Sequence, residues 1–175
     1  MHDLDNETSP EMAQQFEELL LSFPKELAAS VEGLRSLSEA QRTQKKYEVA
    51  IKTLQKVIAL NPDAEDQVTI AAIYREAKRY AQALVSADQA VKKDQENARA
   101  HYERACSLAQ LGRKWGALAA LKKVIAMDDE YAYDLAAESD LQPLAALPEF
   151  KALLPKEEAP AEPSAKLEQS KAAKP

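Results

Sequence analysis

The sequence predicts an all-α protein: an α-solenoid of stacked helix-turn-helix units, with an N-terminal helix before them and C-terminal capping helices after. Three observations carry this prediction. The chain is rich in Ala, Leu, Lys, Glu and Gln and has only three Gly, too few for a fold of tight hairpin turns. The outline of "YEVAIKTLQKVIALNP" from Tyr47 returns as "YAQALVSADQAVKKDQ" from Tyr80 and as "KWGALAALKKVIAMDD" from Lys114. Ala50, Ala83 and Ala117 fall 33 and 34 residues apart, and Ile51/Leu84/Leu118 and Val57/Ala90/Val124 keep the same step. A fixed period of this size means stacked repeats, none of which buries its apolar face alone.

Taken in order, residues 1–9 are polar and read as a flexible N-terminus, and residues 10–30 as an N-terminal helical cap. Thr8 or Ser9 can cap a helix that has Pro10 early and acids in its first turns. Its apolar residues Met12, Phe16, Leu19, Leu20 and Phe23 make a single stripe, and Pro24 ends or bends it. A second helix is expected from Lys25 to about Gln44, followed by Tyr47 to Leu60. The repeats occupy 31–130, at about 31–63, 64–97 and 98–130, each an A helix followed by a B helix.

Small residues mark where the two helices of a unit cross. The A column reads Ser38, Ala71 and Ala105, and the B column Ala50, Ala83 and Ala117. Large residues one place along, such as Ile51, Leu84 and Leu118, then fill the core, each worth about 1.5–3 kcal/mol if fully buried. Residues 131–155 form a C-terminal cap in which Leu135, Leu141, Leu144, Leu147, Phe150 and Leu154 cover the last open face. Residues 156–175, rich in Pro, Ala and mixed charge with one large apolar residue, read as a disordered tail.

With these columns in view, residues 31–130 resemble three tetratricopeptide repeats of bacterial type. The third, "ARAHYERACSLAQLGRKWGALAALKKVIAMDD", carries the resemblance best, together with the B helix of the first. The endings "DLQPL" and "PEFKALL" are similar to those that follow bacterial arrays of this family. Two departures stand out. The connector glycine is present only as Gly112, with Lys45 and Lys78 in its place elsewhere, and the early aromatic of helix A is replaced by Leu34, Gln67 and His101.

Little in the chain points to chemistry. Residues 1–30 hold seven acids and one Lys, whereas 31–155 hold eighteen charges of each sign, so no basic surface awaits nucleic acid. One cysteine, Cys106, excludes an internal disulfide and a multi-cysteine zinc site. No apolar run is long enough to span a membrane and the acidic "MHDLDNETSP" is unlike a signal peptide, which gives a soluble, cytoplasmic expectation. His101 is expected to pack, Cys106 to be a small buried or half-buried hydrophobe, and Trp115 to pack in the third hairpin, with an exposed anchor as the alternative. No catalytic residue, metal ligand or cofactor motif is expected, so the chain does not read as an enzyme.

The resemblance implies a concave groove lined by the A helices, where proteins of this family hold their ligands. Here it would comprise Arg35, Glu39, Arg42, Val68, Thr69, Ala72, Arg75, Arg99, Tyr102, Glu103 and Cys106. Arginines around an apolar strip suit an extended or helical peptide with some acidic character. The carboxylate clamp of chaperone-tail binders is absent: its positions read Arg35 with Glu39, Thr69, and Arg99 with Glu103, and the glutamates repel a carboxylate. The expected function is therefore a non-enzymatic module binding an unidentified partner protein or peptide in the groove. The alternative is a tetratricopeptide chaperone of the type III secretion translocator class. For the N-terminal stripe the favoured site is the open edge of the first repeat, in a monomer. A homodimer through this helix, or self-occupation of the groove, are the alternatives.

Overall fold

A computed structural model describes residues 9–22 and 30–155, with the backbone alone at Leu20 and Leu21. Residues 1–8, the segment 23–29 with Phe23, Pro24 and Lys25, and the tail 156–175 lie outside the described residues. The described helices are α1 (Pro10–Ser22), α2 (Val31–Thr43), α3 (Tyr47–Leu60), α4 (Ala64–Glu76), α5 (Tyr80–Lys93), α6 (Ala98–Gln110) and α7 (Lys114–Met127). Short α8 (Tyr131–Asp134), a 3₁₀ helix (Ser139–Leu144) and α9 (Pro148–Lys151) follow. No strand occurs among the described residues.

The pairs α2–α3, α4–α5 and α6–α7 each pack along their length, and α4 and α6 then stack on the preceding pair. Both small-residue columns lie in these crossings. Ala50, Ala71, Ala83, Ala105 and Ala117 are all fully buried, and Ser38 nearly so. Ser38, the one polar member, donates its hydroxyl to the Ala50 carbonyl at 3.1 Å, so its burial leaves no orphaned donor. The apolar residues one place along close three clusters: one on Ile51, Leu54 and Ile73, a small one on Val68, Ala90 and Ala100, and the largest on Leu108, Leu118 and Leu121.

The expected helix from Lys25 to about Gln44 is not continuous through Ser30. Ser30 has an extended backbone and its side chain accepts from the Gly33 amide at 3.0 Å, so α2 begins at Val31 and not at Lys25. Asp63 and Asn97 cap α4 and α6 in the same manner. The three connectors share one backbone. Lys45 and Lys78 have φ 59° and Gly112 has φ 73°, the left-handed conformation that ends a helix. After each of them the next amide reaches back to a carbonyl of the finished helix, Lys46 to Gln41, Arg79 to Tyr74 and Arg113 to Leu108. Lysine thus stands where the geometry favours glycine, and pays a steric cost of about 1 kcal/mol.

Both ends of the stack are covered. Leu135, Leu141, Leu144 and Phe150 join the α6–α7 cluster, with Leu147 and Leu154 partly buried against it. The 3₁₀ helix lies along α6, where a further A helix would stack. At the other end α1 packs on α2. Ala13 is buried, and Glu17 accepts from Gln41, Gln44 and Lys46 at 3.3, 2.9 and 3.0 Å. Met12, Phe16 and Leu19 stay exposed.

Two substitutions of opposite sign test this packing. Lys45→Gly relieves the left-handed strain and should raise unfolding free energy by about 0.5–1 kcal/mol. Ala117→Leu overfills the α6–α7 crossing and should lower it by about 1–3 kcal/mol. Urea denaturation of each variant reads both shifts.

Candidate functional site

The A helices α2, α4 and α6 are tied together by arginine–carboxylate pairs, each about one repeat apart in sequence. Arg35 on α2 makes a two-pronged contact with Asp66 on α4, Nε and Nη2 donating to Oδ1 and Oδ2 at 2.8 Å each. Arg42 on α2 donates to Glu76 on α4 and also pairs with Glu39. Arg99 on α6 pairs with Glu65 on α4. The periodicity supplies these contacts, because an arginine at one register of an A helix meets an acid near the same register of its neighbour.

Arg75 on α4 gathers more partners than any of these. Its Nε donates to Glu103 on α6 at 2.8 Å, and its Nη1 to Glu138 at 3.2 Å and Asp140 at 3.0 Å. Tyr102 donates to Glu138 at 3.0 Å, Tyr80 to Asp140 at 2.9 Å, and Gln110 to the Asp140 carbonyl at 2.8 Å. The second repeat, the third repeat and the C-terminal cap thus meet at one guanidinium. Burial opposes its charge, but the bond to Glu103 and that carboxylate's charge outweigh burial and hold its pKa above the ordinary arginine value. Glu103 responds in the opposite sense: burial pushes its pKa up in spite of Arg75. For Glu138 burial also acts upward, yet the Asp140 amide and the Arg75 charge prevail and hold it below 4.5.

The eleven residues expected to line the groove separate into two groups. Arg35, Glu39, Arg42, Thr69, Arg75, Arg99 and Tyr102 reach solvent to differing degrees. Val68, Ala72, Glu103 and Cys106 are buried and offer a partner no surface. Val68 belongs to the small cluster between the second and third repeats. Cys106 is fully buried in the large cluster, where burial pushes its thiol pKa well up, leaving an inert hydrophobe. His101 is buried too, with Nε2 donating to the Gln95 carbonyl at 3.0 Å and Nδ1 unpartnered. Trp115 does not pack in its hairpin; it is 69% exposed at the start of α7. Among the described residues no three His, Cys, Asp or Glu side chains are placed to hold a metal ion, and no helix is long and apolar enough to cross a membrane.

The face is more acidic than the arginines alone suggest. Arg35, Arg42, Arg75, Arg99 and Lys78 face eight carboxylates: Glu39, Asp63, Glu65, Asp66, Glu76, Glu103, Glu138 and Asp140. Every arginine is already engaged, and the face carries three more negative than positive charges. Sequence reading found the arginines and two of their partners, Glu39 and Glu103, but not the rest, because Glu138 and Asp140 lie outside the repeats and Asp66 and Glu76 occupy columns it did not assign to the groove. An open pocket of about 310 Å³ remains between the first two repeats, where Arg35, Glu39, Asp63, Glu65, Thr69 and Arg99 meet.

A family model described as tetratricopeptide repeat matches residues 36–64, the first helix pair and its exit. The fold also matches a crystal structure of MamA, 18% identical with a TM-score of 0.64, over 87% of this chain and 94% of that one. The first helix pair thus matches a tetratricopeptide repeat in sequence, and the chain has the fold of proteins built from such repeats. PcrH in complex with the chaperone binding region of PopB is 25% identical with a TM-score of 0.54, over 76% of this chain and 98% of that one. PcrH from Pseudomonas aeruginosa is 25% identical with a TM-score of 0.55, over 70% and 90%. These bacterial structures are consistent with a tetratricopeptide protein of bacterial type. No curated protein matches the sequence.

Glu138 links the cap to the repeats, and the sign of its titration gives a test. A carboxylate whose folded pKa is depressed contributes stability above its ordinary value, 4.5 here, and loses it as the pH falls through the folded value. Glu138→Gln should therefore cost about 1.5–3 kcal/mol at neutral pH, the scale of bonds to a charged group, and the deficit should shrink at pH values well below 4.5. Denaturant unfolding of both proteins across that range checks it.

Proposed function

We propose that the protein is a non-enzymatic interaction module that holds a partner segment of basic character against its A helices. The partner would sit at the pocket between the first two repeats. The observation that carries this reading is the excess of carboxylates on that face, with every arginine neutralised by a neighbouring repeat. A cationic segment meets unbalanced acids there, whereas an acidic one must displace Asp66, Glu65 or Glu76 from an arginine before it gains a contact. Arg35, Glu39, Asp63, Glu65, Thr69 and Arg99 are the accessible groups at this pocket, and Arg42, Arg75 and Tyr102 extend the face toward the cap. The cap is packed over the third repeat, so the first two offer the open stretch.

A second reading has its own support. PcrH is described in complex with the chaperone binding region of PopB, and nearly the whole of that chain is matched here. A chaperone role of the type III secretion translocator class is the alternative that this likeness favours.

Affinity purification from the native cell tests both. The intact protein and a variant carrying Glu39→Lys, Asp63→Lys and Glu65→Lys are compared at low and high salt. The expected outcome is one defined protein retained by the intact chain at low salt and lost with the variant. The same protein on both baits, or no retained protein, contradicts groove binding. A secreted hydrophobic translocator as the retained protein decides for the chaperone reading.

A further inference from the structure

On α1 the fold leaves three apolar residues of one helix face uncovered. Met12, Phe16 and Leu19 fall within an arc of about 60° on the helix, at 100° per residue. They are 55%, 45% and 54% exposed, although Ala13 and Glu17 on the adjoining arc are held against α2. Beside the stripe a cleft of about 360 Å³ separates α1 from α2, lined by Ala13, Phe16, Ser36, Glu39, Ala40 and Thr43. Ala13, Phe16 and Ala40 supply apolar lining, and Ser36, Glu39 and Thr43 bring polar groups beside it. That volume accepts one large apolar side chain while its neighbours lie along Met12 and Leu19.

Charge decides what covers it. Glu11 and Glu18 are exposed on the open side of α1, Glu39 is exposed on α2, and α1 holds no basic residue. Residues 1–30 together carry seven acids against one Lys. A second copy docked through the same stripe would bring two such acidic sets together, a like-charge contact that costs binding energy. The chain's own residues 156–175 offer only Leu167 as a large apolar side chain, so they cannot fill the stripe.

We infer that the α1–α2 cleft docks an amphipathic helix from a partner protein, apolar on one face and flanked by Lys or Arg. One large side chain enters between Phe16 and Thr43, further apolar residues at helical spacing lie on Met12 and Leu19, and the flanking cations meet Glu11, Glu18 and Glu39. This surface is separate from the pocket at Arg35 and Arg99 and touches it only through Glu39, so it stands or falls on its own.

The test uses the full chain and two synthetic helices of about five turns with the same leucine face, one flanked by Lys and the other by Glu. Fluorescence anisotropy should show saturable binding of the Lys-flanked helix and binding weaker by about tenfold or more for the Glu-flanked one. Phe16→Ser with Leu19→Ser should weaken the Lys-flanked helix by about tenfold or more, the loss of a buried anchor. The charge-only variant Glu11→Lys with Glu18→Lys should weaken it too, and leaves the apolar stripe intact should the serine variant fold poorly. Arg99→Glu should leave binding unchanged. Equal affinity for both helices overturns the inference, as does loss with Arg99→Glu but not with the stripe variants, a result that leaves groove binding standing. A dimer in sedimentation that Phe16→Ser dissociates makes a second copy the occupant. Binding to anionic lipid vesicles in place of the peptide makes it a membrane. Either result overturns the inference.

Discussion

Arg75 sits where the second repeat, the third repeat and the C-terminal cap converge. It is 17% exposed, Glu103 is 4% and Asp140 5%. Taking these groups out of water is costly, and a buried pair of this kind adds little net stability over an apolar contact of the same shape. Removing one partner nonetheless costs about 3–5 kcal/mol, because the others are left buried and unpaired. Its effect is registration. The leucines of the cap pack against α6 and α7 without directional preference, whereas Glu138 and Asp140 reach Arg75 in only one placement of the 3₁₀ helix.

From this placement follow the limits of the inner face. The cap takes the position of a further A helix, covers Cys106 and part of Tyr102, and leaves the open stretch over the first two repeats. The same ladder that joins Arg35 to Asp66, Arg42 to Glu76 and Arg99 to Glu65 fixes the spacing of the A helices and spends every arginine in doing so. What remains for a partner is surplus negative charge. The proposed cationic segment is the one that would find contacts there without first breaking the ladder.

The fold was legible because its signals are local and repeated. Ala50, Ala83 and Ala117 mark the crossings, and the Tyr47–Leu60 helix could be bounded from its pattern alone. The left-handed connectors were legible in position but not in residue: two of the three carry lysine, a strain that the helix-ending hydrogen bonds absorb. The site was legible only in part. Periodicity places Arg35, Arg42, Arg75 and Arg99 on the A helices, but Val68 and Ala72 stand in the same columns as half-buried Arg35 and exposed Glu39 and are themselves buried. A column shared by three repeats does not share exposure, because the first repeat has no predecessor and the last is covered by the cap. For α1 the helix and its place on the first repeat were legible, but the exposure of Met12, Phe16 and Leu19 was not. Hydrophobic spacing identifies an apolar face, yet the helix docks through Ala13 and the Glu17 carboxylate, a contact decided by Gln41, Gln44 and Lys46 across the interface.

The central claim is that the cap and the third repeat form one unit locked at Arg75. Native-state hydrogen exchange tests it most directly, by comparing opening free energies of the amides of Leu141 and Leu144 with those of buried α6 residues such as Cys106 and Leu108. The account predicts that both sets open together with the same free energy, and that Arg75→Met separates them by lowering the cap's value. Cap amides that exchange well before those of α6 in the unmodified protein would contradict it, because the cap would then be an independent flap over a complete groove.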